Sequence, residues 1–71
     1  MSEQKRCKEL LLLDGWAEIG PYSFRKNEFD VIFDTSSWAE LYWRGQHRLA
    51  DISLSDSESF WISIQSSTSQ A

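Results

Sequence analysis

The clearest strand pattern in the chain is Glu28–Phe33, which reads EFDVIF. Its residues at positions 29, 31 and 33 are large and apolar, whereas Glu28 and Asp30 are acidic. This alternation predicts a β-strand that is buried on one face. Polar turn residues flank it, with Lys26-Asn27 before the strand and Asp34–Ser37 after it. We therefore expect each turn to connect the strand to an antiparallel neighbour.

Two further strands are predicted towards the carboxyl end. In Trp38–Trp43 the even-numbered residues share one face, and the odd-numbered residues share the other. The turn Arg44–Gln46 follows, and then His47–Leu54 alternates again, which places Arg48 on the same face as Ile52. These strands extend the antiparallel sheet.

A hairpin is predicted on the amino-terminal side of the first strand. Trp16–Ile19 and Tyr22–Arg25 are short and alternating, and Gly20-Pro21 between them is a turn signal.

A helix is predicted before this hairpin, over residues 3–13. Cys7, Leu10 and Leu11 have helical spacing and form its apolar face. Ser2 suits the N-cap position, and Gly15 suits the left-handed position that follows a helix end.

The last segment carries two conflicting signals. Ser55 and Glu58 have the spacing of a capping box, which indicates a helix. Phe60, Ile62 and Ile64 alternate with their neighbours, which indicates a strand. Because serine and β-branched residues form helices poorly, we expect a strand over residues 60–64. The polar residues 66–71 are expected to form a disordered tail.

Together these elements predict an α+β fold, in which one N-terminal helix packs on a curved antiparallel sheet of about five short strands. Residues 1–65 are expected to form a single domain. Sheet edges in a chain too short for a large core favour a homodimer. The expected core residues are Cys7, Leu10, Leu11, Phe24, Phe29, Val31, Phe33, Leu41 and Ile52.

Composition limits the classes of function. The 71 residues include 11 Asp and Glu against 7 Lys and Arg, and the net charge is −4. This balance argues against a nucleic acid as the partner, because sequence-independent binding needs a basic stripe. The single cysteine fits a reducing compartment. With no signal-peptide pattern and no apolar run long enough to span a membrane, we expect a cytoplasmic protein without a membrane partner.

Few residues could support catalysis. The only histidine, His47, and the only cysteine, Cys7, are not brought together by any pattern, and most free cysteines are small buried apolar residues. Glu28, Asp30 and Glu40 could form a metal or acid–base cluster, or a solvated sheet face. We favour the solvated face, and we expect no catalytic residue, no metal site and no cofactor. The protein is therefore predicted not to be an enzyme.

The segment Tyr42–Arg48, which reads YWRGQHR, is the strongest candidate binding site. Aromatic residues with arginine are typical of interface hot spots, and they also suit the stacking of nucleic-acid bases. In a third interpretation Trp43 belongs to the core and the arginines are solvent-facing edge charges. A nucleic-acid interface would also use the basic residues within 5–8. The candidate binding residues are Tyr42, Trp43, Arg44, His47 and Arg48.

The order of Gly15-Trp16, Phe24–Lys26 and the segment Phe33–Trp38, which reads FDTSSW, resembles small uncharacterised proteins encoded by phages and prophages. The resemblance covers residues 10–52, and it weakens after Trp43, where the chain is more basic. It implies a short helix followed by aromatic strands, and it carries no catalytic residue. Small accessory phage proteins often act by binding and blocking a host protein.

The sequence therefore predicts a small non-catalytic protein-binding module whose partner is an unidentified host protein. The resemblance implies an inhibitor of a host factor such as a defence complex. The alternative is a nucleic-acid-binding accessory protein that uses a local basic and aromatic patch.

Overall fold

The computed structural model describes residues 3–34 and 37–68. The five strands form one antiparallel sheet in sequence order, so the first and last strands are its edges. The predicted α+β fold, with a helix before an antiparallel sheet, is confirmed, and a second helix follows the sheet. The elements are α1 (Glu3–Leu13), β1 (Ala17–Gly20), β2 (Ser23–Lys26), β3 (Phe29–Phe33), β4 (Trp38–Trp43), β5 (His47–Ser53) and α2 (Ser57–Thr68).

Helix α1 has the predicted bounds, and Gly15 has the predicted positive φ, at +93°. Lys26 stabilises the end of the helix, because its Nζ donates to the backbone oxygen of Asp14 at 2.8 Å and pairs with the Asp14 carboxylate at 2.9 Å. Cys7 and Leu11, one turn apart, are the buried residues of this helix. The prediction that Leu10 belongs to the core is wrong, since the buried stripe is only one residue wide and Leu10 is partly exposed.

The turn between β2 and β3 lies one residue later than predicted. Lys26 pairs with Phe29, so the two turn residues are Asn27 and Glu28. Asn27 has a φ of +56°, a conformation that asparagine tolerates better than most residues. Lys26 is thus a strand residue, and its side chain reaches Asp14.

The expected strand over residues 60–64 is wrong, because this segment lies inside helix α2. Asp56 caps the helix, with its carboxylate accepting from the Glu58 amide at 3.2 Å and from the Ser59 hydroxyl at 2.9 Å. Phe60 and Ile64, one helical turn apart, are both buried. The cap and this burial outweigh the low helix propensity of the segment.

The helix also changes the predicted tail. Residues 66–68 belong to α2, and residues 69–71 lie outside the described residues. At its other end, the amide of Ser57 donates to the carboxylate of Glu3 at 2.9 Å, which joins α2 to the start of α1.

The core is one cluster between the sheet and both helices. Phe24 and Phe33 are neighbours within the sheet, with ring centroids 5.8 Å apart, and Phe33 contacts Phe60 of α2, with ring centroids 6.1 Å apart. Eight of the nine predicted core residues are buried here. The cluster also contains Trp16, Ala39, Leu54, Phe60 and Ile64.

Both helices contribute to this cluster, so they lie on the same face of the sheet. None of the described helices covers the opposite face, which we call the open face. Register places on it Arg25, Asp30, Ile32, Trp38, Glu40, Tyr42, Arg48 and Asp51.

A β-bulge in β5 changes the face on which one predicted site residue lies. Leu41 pairs with Ala50, and Tyr42 pairs with Arg48, so Leu49 is an extra residue. The prediction that Arg48 shares the face of Ile52 is therefore wrong, and Arg48 stands beside Tyr42 on the open face.

Neither helix within the described ranges is long and apolar enough to cross a membrane.

Candidate functional site

The structure divides the five candidate binding residues into two groups. Tyr42 and Arg48 are paired on the open face of the sheet. Trp43 and His47 are paired on the helix-covered face, and Arg44 begins the turn between the strands. The segment Tyr42–Arg48 is thus not one continuous patch.

The group on the helix-covered face is held together by internal contacts. Trp43 packs against the core, and the His47 ring centroid lies 5.8 Å from that of Trp43. The Arg44 guanidinium carbon lies 4.5 Å from the Trp43 ring centroid, and its Nη2 pairs with Glu28 Oε1 at 3.0 Å. The interpretation that Trp43 belongs to the core is met in part, because Trp43 is partly buried and packs against the core cluster.

The group on the open face belongs to a polar network. Arg48 Nη1 donates to Glu40 Oε2 at 3.2 Å and lies 3.6 Å from Asp51 Oδ1. The Tyr42 hydroxyl donates to Glu40 Oε1 at 3.1 Å. The pKa values of Tyr42 and Arg48 are both raised, and the main cause for each is its hydrogen bond to Glu40. The carboxylate of Glu40 therefore joins Tyr42 and Arg48 in one network.

An ion pair lies at one end of the open face. The Arg25 guanidinium donates to both carboxylate oxygens of Asp30, at 2.7 and 3.3 Å, and this bond raises the pKa of Arg25. Asp30 is buried, with 7% of its surface exposed. Gly45 lies close above it, since an added Cβ would be 3.4 Å from Asp30 Oδ2. This pair is neutral as a unit.

The other end of the open face contains a depression lined by an aromatic and charged residues. Trp38 is 50% exposed there. The depression brings together three carboxylates and one guanidinium, so its charge is unbalanced. Its lining residues are Asp34, Trp38, Glu40, Arg48 and Asp51.

Trp38 also lines a second depression, beside the starts of α1 and α2. The other lining residues there are Glu3, Gln4, Ser37, Ser53, Leu54 and Ser55. Trp38 therefore forms a shared wall between two concave surfaces. It was not among the candidate binding residues, although the alternation of β4 had placed it on the face of Tyr42.

Cys7 lies in the core with no exposed surface. Burial raises the pKa of its thiol from 9.0 to about 11, and the nearby carboxylates of Glu3 and Asp56 add to this rise. Because the thiolate is the reactive form, such a thiol is a poor nucleophile at neutral pH.

No group of three or more histidine, cysteine and acidic residues within residues 3–34 and 37–68 could hold a metal ion.

Arg44 and the basic residues early in α1 lie towards opposite ends of the molecule. Helix α1 starts beside Ser37 and Ser53, and it ends beside Lys26. The turn at Arg44 abuts the turn at Glu28, which is on the Lys26 side. The basic residues early in α1 are therefore separated from Arg44 along the length of the sheet.

The chain matches no known protein-family model, no curated protein and no solved structure.

Proposed function

We propose that this protein is a small non-catalytic protein-binding module that contacts its partner through the open face of its sheet. The observation that carries the proposal is the half-exposed indole of Trp38, which stands between two depressions. Tryptophan is enriched among the residues that dominate binding energy at protein interfaces, and such residues pair with pockets.

The rigidity of the open face supports this role. Trp38 lies on β4, which pairs with β3 on one side and β5 on the other. The neighbouring side chains of Glu40 and Tyr42 are held by hydrogen bonds. A surface ordered before binding loses little conformational entropy on association, and more of its contact energy therefore appears as affinity.

The proposed interface retains two of the five candidate residues. Tyr42 and Arg48 lie on the open face with Trp38. Trp43, Arg44 and His47 lie on the other side of the sheet or in the turn, and the proposal assigns them to the stability of the hairpin. The resemblance to small phage proteins supports a further proposal, that binding blocks a host factor.

No observation favours the nucleic-acid alternative. The guanidinium groups of Arg44 and Arg48 are paired with carboxylates. Phosphate binding would require these ion pairs to be replaced, next to carboxylates that repel phosphate.

Affinity capture with two matched variants tests the proposal. Trp38→Ala removes an exposed apolar side chain from the open face, and Ile62→Ala removes one from the outer side of α2, where Ile62 is 60% exposed. We expect the wild-type protein and Ile62→Ala to capture the same partner from a host lysate, and Trp38→Ala to lose it. A partner that both variants retain would exclude the open face as the binding surface.

A further inference from the structure

We propose that the partner presents a basic segment, with an arginine or lysine side chain, to the depression beside Trp38. This inference rests on the proposed function and adds the chemistry of the partner. It is carried by the charges of the open face and by the position of Trp38 among them.

The open face has an excess of negative charge at one end. Arg25 and Asp30 neutralise each other at the far end. Among the described residues that line the depression beside Trp38, Arg48 is the one with a positive charge. It pairs with Glu40 and Asp51, and Asp34 lines the same depression. Three carboxylates against one guanidinium leave two negative charges in excess. A basic partner would compensate this excess, because complementary potentials favour association and exclude wrong partners.

The same charges argue against a second copy of the chain as the occupant. Two open faces brought together would oppose their acidic depressions, which costs free energy. The sheet edges are also poorly suited to pairing. Both carry a bulge, at Ile19 in β1 and at Leu49 in β5, and bulges protect edges from pairing with another strand.

An aromatic ring beside carboxylates is a suitable site for a guanidinium or ammonium group. The ring attracts the cation through its quadrupole, and the carboxylate accepts its hydrogen bonds. Arg44 illustrates this arrangement within the described residues, since its guanidinium lies over the Trp43 ring and pairs with Glu28. Trp38 likewise lies beside carboxylates in its depression, and we expect a cation of the partner to bind among them.

Arg48 should compete with the basic segment of the partner for the same carboxylates. In the free protein its guanidinium pairs with Glu40 and Asp51, which are the carboxylates that a cation of the partner would bind. An arginine that contacts the partner would lose affinity on truncation, whereas an arginine that competes with the partner would gain it. We therefore expect Arg48→Ala to bind a basic segment more tightly than the wild-type protein does.

A library of random 12-residue peptides, displayed and selected on the immobilised protein, provides the probe. We expect the selected peptides to be enriched in arginine and lysine relative to the unselected library. A selected peptide, synthesised with a fluorophore, should lose about tenfold or more in affinity when its basic residues are replaced by glutamine.

Variants of the protein then locate the site with the same fluorescent peptide. Asp51→Lys should weaken binding by about tenfold or more. Glu18→Lys, an equal change of charge at an exposed position of the β1 edge, should change affinity by less than about twofold. Arg48→Ala should strengthen binding, provided that its unfolding transition shows a folded protein; if it does not fold, Arg48→Gln serves in its place.

The outcomes separate this inference from the proposed function. Selected peptides that depend on Trp38 but are neutral or acidic would overturn the basic partner and leave the open face as the binding surface. Peptides that bind equally well to Trp38→Ala, or no enrichment at all, would overturn both. Equal weakening by Asp51→Lys and Glu18→Lys would show attraction to net charge alone and would also overturn the inference.

Discussion

The two faces of the sheet use the same five strands for different purposes. On the helix-covered face, Phe24, Val31 and Leu41 have almost no exposed surface and pack in a single apolar cluster. On the open face, their immediate neighbours in sequence form ion pairs and hydrogen bonds around Trp38 and Glu40. The two faces of the central strands therefore separate the residues that stabilise the fold from those to which we assign recognition. Substitutions on the helix-covered face should therefore change mainly the stability of the fold, and substitutions on the open face should change mainly the affinity for a partner.

The largest expected effect is a loss of stability from the helix-covered face. Phe60 has no exposed surface and contacts Phe33 at the centre of the core. Phe60→Ala should lower the free energy of unfolding by about 3–5 kcal/mol, since it removes buried area and leaves a cavity. Urea unfolding followed by tryptophan fluorescence measures this change.

Ile62 on the same helix provides the control. It is 60% exposed, so Ile62→Ala should change the free energy of unfolding by no more than about 0.5 kcal/mol. Similar losses for the two variants would contradict the orientation of α2.

The second effect concerns Cys7 and alkaline pH. The folded state raises the pKa of this thiol from 9.0 to about 11, so the folded protein holds the proton more tightly than the unfolded chain does. The resulting stability is fully present below pH 9 and is lost as the pH rises towards 11, by about 2–3 kcal/mol. Unfolding of the wild-type protein should therefore become easier over this range relative to Cys7→Ala, which cannot titrate there. Parallel pH profiles of the two proteins would contradict the burial of the thiol.

A smaller effect is expected at the turn that joins β4 and β5. Gly45 has a φ of +68°, and an added Cβ would lie 3.4 Å from the buried carboxylate of Asp30. Gly45→Ala should lower the free energy of unfolding by about 1–2 kcal/mol. Gly20→Ala is the matched control, because Gly20 has no positive φ and its added Cβ would have only an ordinary contact, at 3.8 Å from Ser23. Thermal unfolding of the two variants compares them, and an equal loss would argue against strain at Gly45.

The smallest effect on stability is expected on the open face. Trp38→Ala should change the free energy of unfolding by less than about 1 kcal/mol, because its side chain is half-exposed. The same substitution should weaken binding of a selected peptide by about 30-fold, the loss that defines an interface hot spot. A large loss of stability without a loss of affinity would reverse the roles assigned to the two faces.

The sheet was predictable because apolar core residues alternate with outward-facing residues along its three central strands. Patterns within each segment predicted all five strands and the bounds of α1. The alternation of residues along β3 and β4 also predicted which of their residues are buried. Short connections between the strands favoured antiparallel neighbours. Local signals agreed with the tertiary structure in these segments, so the sequence was sufficient.

The errors arose where local signals conflicted or where register decided the outcome. In residues 57–68 the cap at Asp56 and the spacing of Phe60 and Ile64 indicate a helix, but alternation and propensity indicate a strand. Packing against α1 and β5 decides between them. The bulge at Leu49 depends on the pairing of β5 with β4, and no local signal places Arg48 on the open face.

The candidate site was only partly predictable for a related reason. The density of aromatic and basic residues in Tyr42–Arg48 predicted a binding site there. Successive residues of a strand point to opposite faces, however, so the segment is divided between the two faces of the sheet. The sequence pattern at Trp38 is less conspicuous, because it consists of one large aromatic residue at an outward position of a strand. Its significance depends on Asp34 and Asp51, which come from other parts of the chain and meet it only in the folded protein.

The four tryptophan side chains offer the most direct test of the separation between the two faces. Trp16 is buried, Trp43 and Trp61 pack against the core, and Trp38 is the one on the open face. Two-dimensional NMR resolves one indole N–H signal for each. On titration with a selected peptide, the Trp38 signal should move strongly while the other three stay nearly unchanged. Movement of the Trp43 or Trp61 signal with Trp38 unchanged would contradict recognition through the open face and place the peptide on the helix-covered side.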